Sequence, residues 1–214
     1  MNRTRIKICG LTREADLDAA VAAGADAVGF VLYPKSPRHV PLGRALALAG
    51  RLPPFVTPVL LFVNAAPAEV AEATAALPTA WLQFHGDETP DACDAARHSY
   101  LRAVRMAPGV DLLDFAARFH RAGALLLDAD SAVYGGSGKA FDWSLIPPSV
   151  ARPVVLSGGL NPANVTDGVL TVRPWAVDVS TGVEAAKGIK DAGLMRRFCD
   201  AVREADERLE DAPN

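Results

Sequence analysis

Short, nearly continuous apolar runs recur along the chain at 5–10, 27–32, 57–63, 81–86, 100–106, 124–130, 153–159 and 176–182. Their starts fall roughly 19 to 30 residues apart, and few of them alternate with polar residues. Strands covered on both faces read this way, because neither side of the pleat meets water. Between the runs lie alanine-rich segments with helical spacing at 12–23, 41–50, 67–77, 90–98, 112–121, 162–170 and 191–209. Thr89-Pro90 and Asn161-Pro162 each place a capping side chain before a proline at the expected first helical position, where the missing N–H costs nothing. The connection at 141–148 carries the weakest helical pattern.

Eight strands alternating with about eight helices admit either a closed (β/α)8 TIM barrel or an open doubly wound sheet. The strand number favours the barrel. An open sheet commonly carries a glycine-rich dinucleotide turn after its first strand, but Cys9-Gly10-Leu11-Thr12 stands there instead. A chain of 214 residues, half of them hydrophobic and 22% charged, has the size of one core. The expectation is therefore an α/β single domain over 1–214, with a charged carboxyl-terminal tail from about 203 that frays.

Lys and Arg number 22 against 25 Asp and Glu, a formal charge of −3, so no basic field is available to hold a nucleic-acid backbone. The segment 1–10 lacks the apolar run of a secretory signal, and the longest uncharged stretch, 52–68, is interrupted by Pro53, Pro54, Pro58 and Pro67. These features predict a cytoplasmic protein without a membrane span. Cys9, Cys93 and Cys199 form no Cys-x-x-Cys pair, and the four histidines show no His-x-x-x-His pattern, so neither a disulfide framework nor a metal site is expected. The pattern leaves the assembly open between monomer and homodimer.

Barrels of this type hold their chemistry at the carboxyl ends of the strands. The polar residues there are Cys9, His85, Arg105, Asp128, Asp130, Ser157, Asp178 and Ser180, whereas Asp26 precedes its strand and falls on the other rim. Three late turns, Gly135-Gly136-Ser137-Gly138, Ser157-Gly158-Gly159 and Ser180-Thr181-Gly182, expose backbone N–H groups in the manner of a phosphate cradle. Gly136, Ser137, Gly138, Ser157, Gly158, Gly159, Ser180, Thr181 and Gly182 are the candidate phosphate ligands. Cys9 and Asp128 lie on strands that can face each other across the mouth, and a thiolate with a carboxylic acid can move a proton within a sugar. Lys7, on the same strand face as Cys9, supplies positive potential for the thiolate. The residues alone leave other roles open. Asp128 can pair with Lys7, Cys9 can pack, His85 can be a core histidine, and Lys7 can form a Schiff base as in an aldolase.

Several segments together carry a resemblance. They are Lys7-Ile8-Cys9-Gly10-Leu11-Thr12, Pro34-Lys35-Ser36-Pro37-Arg38, Gln83-Phe84-His85-Gly86-Asp87-Glu88, Leu127-Asp128, Gly135-Gly136-Ser137-Gly138-Lys139, Leu156-Ser157-Gly158-Gly159 and Val177-Asp178-Val179-Ser180 to Gly182-Val183-Glu184. In this order they resemble the phosphoribosylanthranilate isomerases of tryptophan biosynthesis, from Lys7 to about Lys190. Thr181 stands where that family more usually has a second serine, which keeps the hydroxyl. The resemblance implies a cofactor-independent Amadori rearrangement of a small phosphorylated substrate, with Asp128 as general acid and Cys9 as the base at C2. It further implies that Arg38 holds the anthranilate carboxylate, and that His85 and Asp178 line the ribose and amino group beside Lys7. Two alternatives stand beside it: the histidine-pathway aminoaldose isomerase, which resembles a pair of aspartates where this chain has Cys9 and Asp128, and a non-catalytic phosphate-binding barrel.

Overall fold

The computed structural model describes residues 3–129 and 141–211. Eight strands close into one parallel barrel in chain order: β1 (Arg5–Cys9), β2 (Ala27–Val31), β3 (Thr57–Phe62), β4 (Trp81–Phe84), β5 (Tyr100–Met106), β6 (Ala124–Ala129), β7 (Val154–Leu156) and β8 (Ala176–Val179). Ring closure comes from β1 and β8, where Arg5, Ile6, Lys7 and Ile8 register against Ala176, Val177, Asp178 and Val179. The barrel reading of the sequence holds.

Both faces of each strand are dry, which explains the unbroken apolar runs. Outward-facing Ile8, Phe30, Leu60, Leu82, Leu125 and Val177 are fully buried against the helices. Inward-facing Val59, Leu101, Leu126, Val155 and Ala176 fill the lower barrel, and Cys9, Val31 and Leu61 form the next layer toward the mouth. The interior is therefore apolar in its lower part and becomes polar toward the carboxyl ends.

The outer layer contains α1 (Glu14–Ala23), α2 (Leu42–Ala49), α3 (Pro67–Ala76), α4 (Pro90–Ala95), α5 (Leu112–Arg118), α6 (Val165–Val172) and α7 (Ala192–Asp211). Thr89 caps α4 by accepting from the Ala92 N–H at 3.2 Å, as the Thr-Pro pair predicts. The Asn161-Pro162 expectation needs correction, because α6 starts at Val165. Asn161 accepts from the Ala163 N–H, and Asn164 accepts from the Asn161 N–H, so the pair builds a turn ahead of the helix. The 141–148 connection holds only a 3-10 turn at Trp143–Leu145. A small antiparallel hairpin, β9 (Glu184–Ala186) with β10 (Ile189–Lys190), intervenes between β8 and α7 and takes no part in the barrel ladder.

The expected fraying from 203 is also corrected. α7 continues through Asp211, with Val202 and Ala205 buried. The Asp206 carboxylate accepts from the Thr4 N–H at 2.8 Å and the Thr4 hydroxyl at 2.7 Å, and Arg203 donates to the Ala23 carbonyl. The charges there are anchors against β1 and α1. At the amino-terminal rim Asp26 pairs with Arg3 and accepts from the Ile6 N–H, away from the mouth as expected.

Candidate active site

A recess of about 680 Å³, open to solvent, occupies the carboxyl-terminal mouth of the barrel. Cys9 from β1 and Asp128 from β6 both line it. Three strand-to-strand steps separate them around the ring, so they approach from different sides. Arg38, His85, Ser157, Gly158, Gly159, Asp178, Ser180 and Thr181 border the same space. Lys7 and Gly182 belong to the surrounding structure without lining it. Asp130 and the turn Gly136, Ser137 and Gly138 lie outside the described residues.

Asp128 does not pair with Lys7. Its Oδ2 lies 3.0 Å from His85 Nε2, and its Oδ1 accepts from the Ala129 N–H at 3.0 Å. The Gln83 amide nitrogen stands 2.9 Å from His85 Nδ1, so the imidazole bridges the Gln83 amide and the Asp128 carboxylate through its two ring nitrogens. The order Gln83, His85, Asp128 holds the ring and the carboxylate in place against each other. His85 thus lines the mouth in contact with Asp128, and Gln83 is its unforeseen support.

Lys7 pairs instead with Asp178, Nζ to Oδ1 at 2.7 Å, with both side chains almost wholly buried. The second Asp178 oxygen accepts from the Ser157 hydroxyl at 3.2 Å, and the Ser157 N–H is held by the Leu127 carbonyl. Ser157, expected among the phosphate ligands, directs both donors into the protein and orients Asp178. Burial acts to neutralise Lys7, but the neighbouring Asp178 and Cys9 more than offset it and hold its pKa above the ordinary ammonium value. A Schiff-base lysine needs the opposite shift, so the aldolase reading loses its nucleophile.

Burial pushes the Cys9 thiol up, and the positive charges of Lys7 and Lys190 offset only part of that rise. Space around the sulfur is set by β2. A Cβ built on Gly29 would stand 2.6 Å from Cys9 Sγ, so only glycine leaves room for the thiol where it sits. At the other side of the mouth Gly158 and Gly159 have successive φ of 73° and 71°, a left-handed turn that suits glycine. A Cβ on Gly158 would come within 2.3 Å of the Ala129 nitrogen. Such a turn aims consecutive N–H groups at an anion.

Arg38 reaches the recess from the loop after β2 with its guanidinium already held. Nε donates to Glu184 Oε1 at 2.7 Å, and Nη2 to Oε2 at 2.8 Å. Lys190 donates to Glu184 Oε1 at 2.9 Å and to the Ser180 carbonyl at 3.0 Å. Burial alone would raise the Glu184 carboxyl, yet Arg38 and Lys190 bring it below the usual carboxylate value. Neither Glu184 nor Lys190 stood out in the sequence, although Glu184 ends one of the family-like segments. Among the described residues no group of three or more His, Cys, Asp or Glu could hold a metal ion, and no helix is long and apolar enough to cross a membrane.

A parallel barrel whose carboxylates, thiol, arginine and glycine turn meet at the carboxyl-terminal mouth has the layout of a (β/α)8-barrel enzyme. Comparison with known proteins narrows the class. The family profile described as N-(5'-phosphoribosyl)anthranilate (PRA) isomerase matches residues 6–201. An N-(5'-phosphoribosyl)anthranilate isomerase of Methylibium petroleiphilum is 72% identical over 207 residues, 97% of each chain. A phosphoribosyl anthranilate isomerase crystallised with reduced 1-(o-carboxyphenylamino)-1-deoxyribulose 5-phosphate is 38% identical, with a TM-score of 0.83, covering 94% of this chain and 99% of that one. Monomers generated from the dimeric phosphoribosylanthranilate isomerase of Thermotoga maritima give 37% identity and a TM-score of 0.83 over the same shares. The chain belongs to the N-(5'-phosphoribosyl)anthranilate isomerase family.

Proposed function

We propose that Cys9 and Asp128 carry out the Amadori step of this family across the mouth of the barrel. The chain is a tryptophan-pathway isomerase acting on N-(5'-phosphoribosyl)anthranilate. Asp128 protonates the furanose ring oxygen, the C1–O bond breaks, and the anilino nitrogen pushes in to form the open Schiff base. Cys9 then takes the C2 proton to leave an enolamine. Proton return to C1 and loss of the C2 hydroxyl proton give 1-(2-carboxyphenylamino)-1-deoxyribulose 5-phosphate. Atoms balance within one molecule, and no step calls for a cofactor.

The observation that carries this reading is the placing of Cys9 and Asp128 on separate strands around one recess. Support comes from the left-handed Gly158-Gly159 turn and the Ser180, Thr181 and Gly182 segment as the phosphate side. Gly136, Ser137 and Gly138 complete that side in the same proposal. Arg38 takes the anthranilate carboxylate, while His85 and Asp178 meet the ribose and amino group. Cysteine in place of the first of two aspartates separates this site from the histidine-pathway isomerase. The test is the loss of anthranilate-type fluorescence when the protein meets freshly generated phosphoribosylanthranilate, with Cys9→Ser alongside. Fast loss with the parent alone supports substrate and base together; equal rates in both remove Cys9 from the mechanism.

The compartment we assign is the cytoplasm, supported by three buried, unpaired cysteines that fit a reducing environment. We assign the assembly as a homodimer through the amino-terminal end of the barrel. Phe55 is fully exposed there, with φ of 72°, beside an apolar hollow bordered by Val59, Trp81, Leu101 and Trp175. A reciprocal insertion of Phe55 into that hollow satisfies two-fold symmetry. Light scattering should give twice the chain mass for the parent and the single mass for Phe55→Glu. A monomeric parent at tens of micromolar overturns the assignment.

A further inference from the structure

The hairpin β9–β10 is absent from the barrel ladder, yet it is anchored on several sides. The Thr12 hydroxyl donates to the Gly188 carbonyl at 2.8 Å, and the Lys190 N–H donates to Asp16 at 3.1 Å. Within it Lys190 registers against Glu184, which brings a buried ammonium against a buried carboxylate. We propose that Glu184 and Lys190 are positioning residues that hold Arg38 for the substrate carboxylate and tie it to the phosphate side of the site. This inference rests on the substrate assigned above.

A guanidinium offers a carboxylate two edges, one formed by Nε and Nη2 and one by Nη1 and Nη2. Glu184 takes the first edge completely, so Nη1 with the second Nη2 hydrogen forms the edge left for a ligand. An arginine otherwise has four side-chain torsions to fix on binding, at a cost that rises with its freedom. Here they are already fixed. The stem also rests on the backbone of Gly10, where φ is 81° and a Cβ would stand 2.6 Å from Arg38 Cδ. Lys190 has no exposed side-chain surface, so it acts through its neighbours. Its three donors go to Glu184, the Ser180 carbonyl and the Ser180 hydroxyl, at 2.9, 3.0 and 3.3 Å. Ser180 opens the turn assigned to phosphate, so one ammonium spans the parts that receive the two anionic ends of the substrate. Two cations on one carboxylate leave a net positive charge beside the recess, matched to those anions.

The test measures affinity for two ligands. One is reduced 1-(2-carboxyphenylamino)-1-deoxyribulose 5-phosphate, and the other is the same molecule without the ring carboxylate. For Glu184→Gln the expected loss is tenfold or more with the carboxylated ligand and under twofold with the other. KM for the substrate should rise by a similar factor while kcat stays within threefold. Glu184→Asp, which keeps the charge on a shorter stem, should recover part of the loss; it also carries the comparison should Glu184→Gln fail to fold. Lys190→Met should weaken both ligands, because it releases Ser180 as well as Glu184. Equal losses on both ligands for the Glu184 variants indicate a merely structural role and overturn the proposal, as does unchanged affinity. A parent protein that binds neither ligand overturns the substrate assignment with it. A parent that discriminates between them while Glu184→Gln behaves identically overturns the positioning role alone.

Discussion

At the scale of single residues, the groups at the mouth are ordinary side chains in unusual company. Cys9 is a buried thiol whose pKa lies above its usual value, so its thiolate is scarce at neutral pH and grows as pH rises. kcat/KM is therefore expected to climb from pH 7 to 9 without levelling below about 8.5, the ordinary thiol value. A flat profile over that range, measured with the fluorescence assay, removes thiol ionisation as the controlling step. Cys9→Ser and Asp128→Asn should each lower kcat by about 10²-fold or more while affinity for the reduced product analogue changes little. Near-normal turnover in either excludes that residue. Gly29 sets the place of the sulfur by having no side chain. Gly29→Ala should displace the thiol and reduce kcat at least tenfold, with circular dichroism unchanged, because small misplacements of reacting groups are costly; full activity contradicts the close fit.

Cys9, Asp128 and the turns Ser157-Gly158-Gly159 and Ser180-Thr181-Gly182 were legible as residues of the mouth because each lies at the end of an apolar run, and strand ends are where a barrel keeps its polar groups. The grip of Glu184 on Arg38 was not. The two residues are 146 positions apart, and nothing local to either marks the partner. The Lys7 pairing was hidden for the same reason. Asp128 and Asp178 are both strand aspartates near the mouth, and only the ring order makes β8 the neighbour of β1.

At the scale of elements, periodicity located the strands well because burial on both faces leaves an uninterrupted apolar signal. Helix ends were less legible. Asn161-Pro162 has the composition of a helix start, but the Asn161 and Asn164 side chains close a turn first and delay α6 to Val165. In α7 the charges after Arg203 suggested a loose tail, whereas Asp206 meets two donors of Thr4 that only the folded barrel brings near. Asp206→Ala leaves those donors without their acceptor and is expected to cost about 1–3 kcal/mol in urea unfolding. An unchanged midpoint and slope mean that the contact carries no stability.

At the scale of the whole molecule, the two ends of the barrel differ in character. The carboxyl-terminal mouth holds the polar network, while the amino-terminal end shows Phe55, Trp175 and the apolar hollow. A lesion at one end therefore need not disturb the other. The ring also imposes an order in time. β1 is made before the other seven strands of the barrel, yet one of its edges has no partner until β8 emerges about 170 residues later. At 5 to 20 residues per second that wait is about 9 to 34 s, during which a bare strand edge is open to wrong partners. Chains ending before Ala176 are expected to aggregate or to stay bound to chaperones, and a soluble, protease-resistant fragment 1–170 contradicts this. Synthesis of the nascent chain thus passes through a vulnerable stage that ends only when the barrel's eighth strand arrives to shield its first.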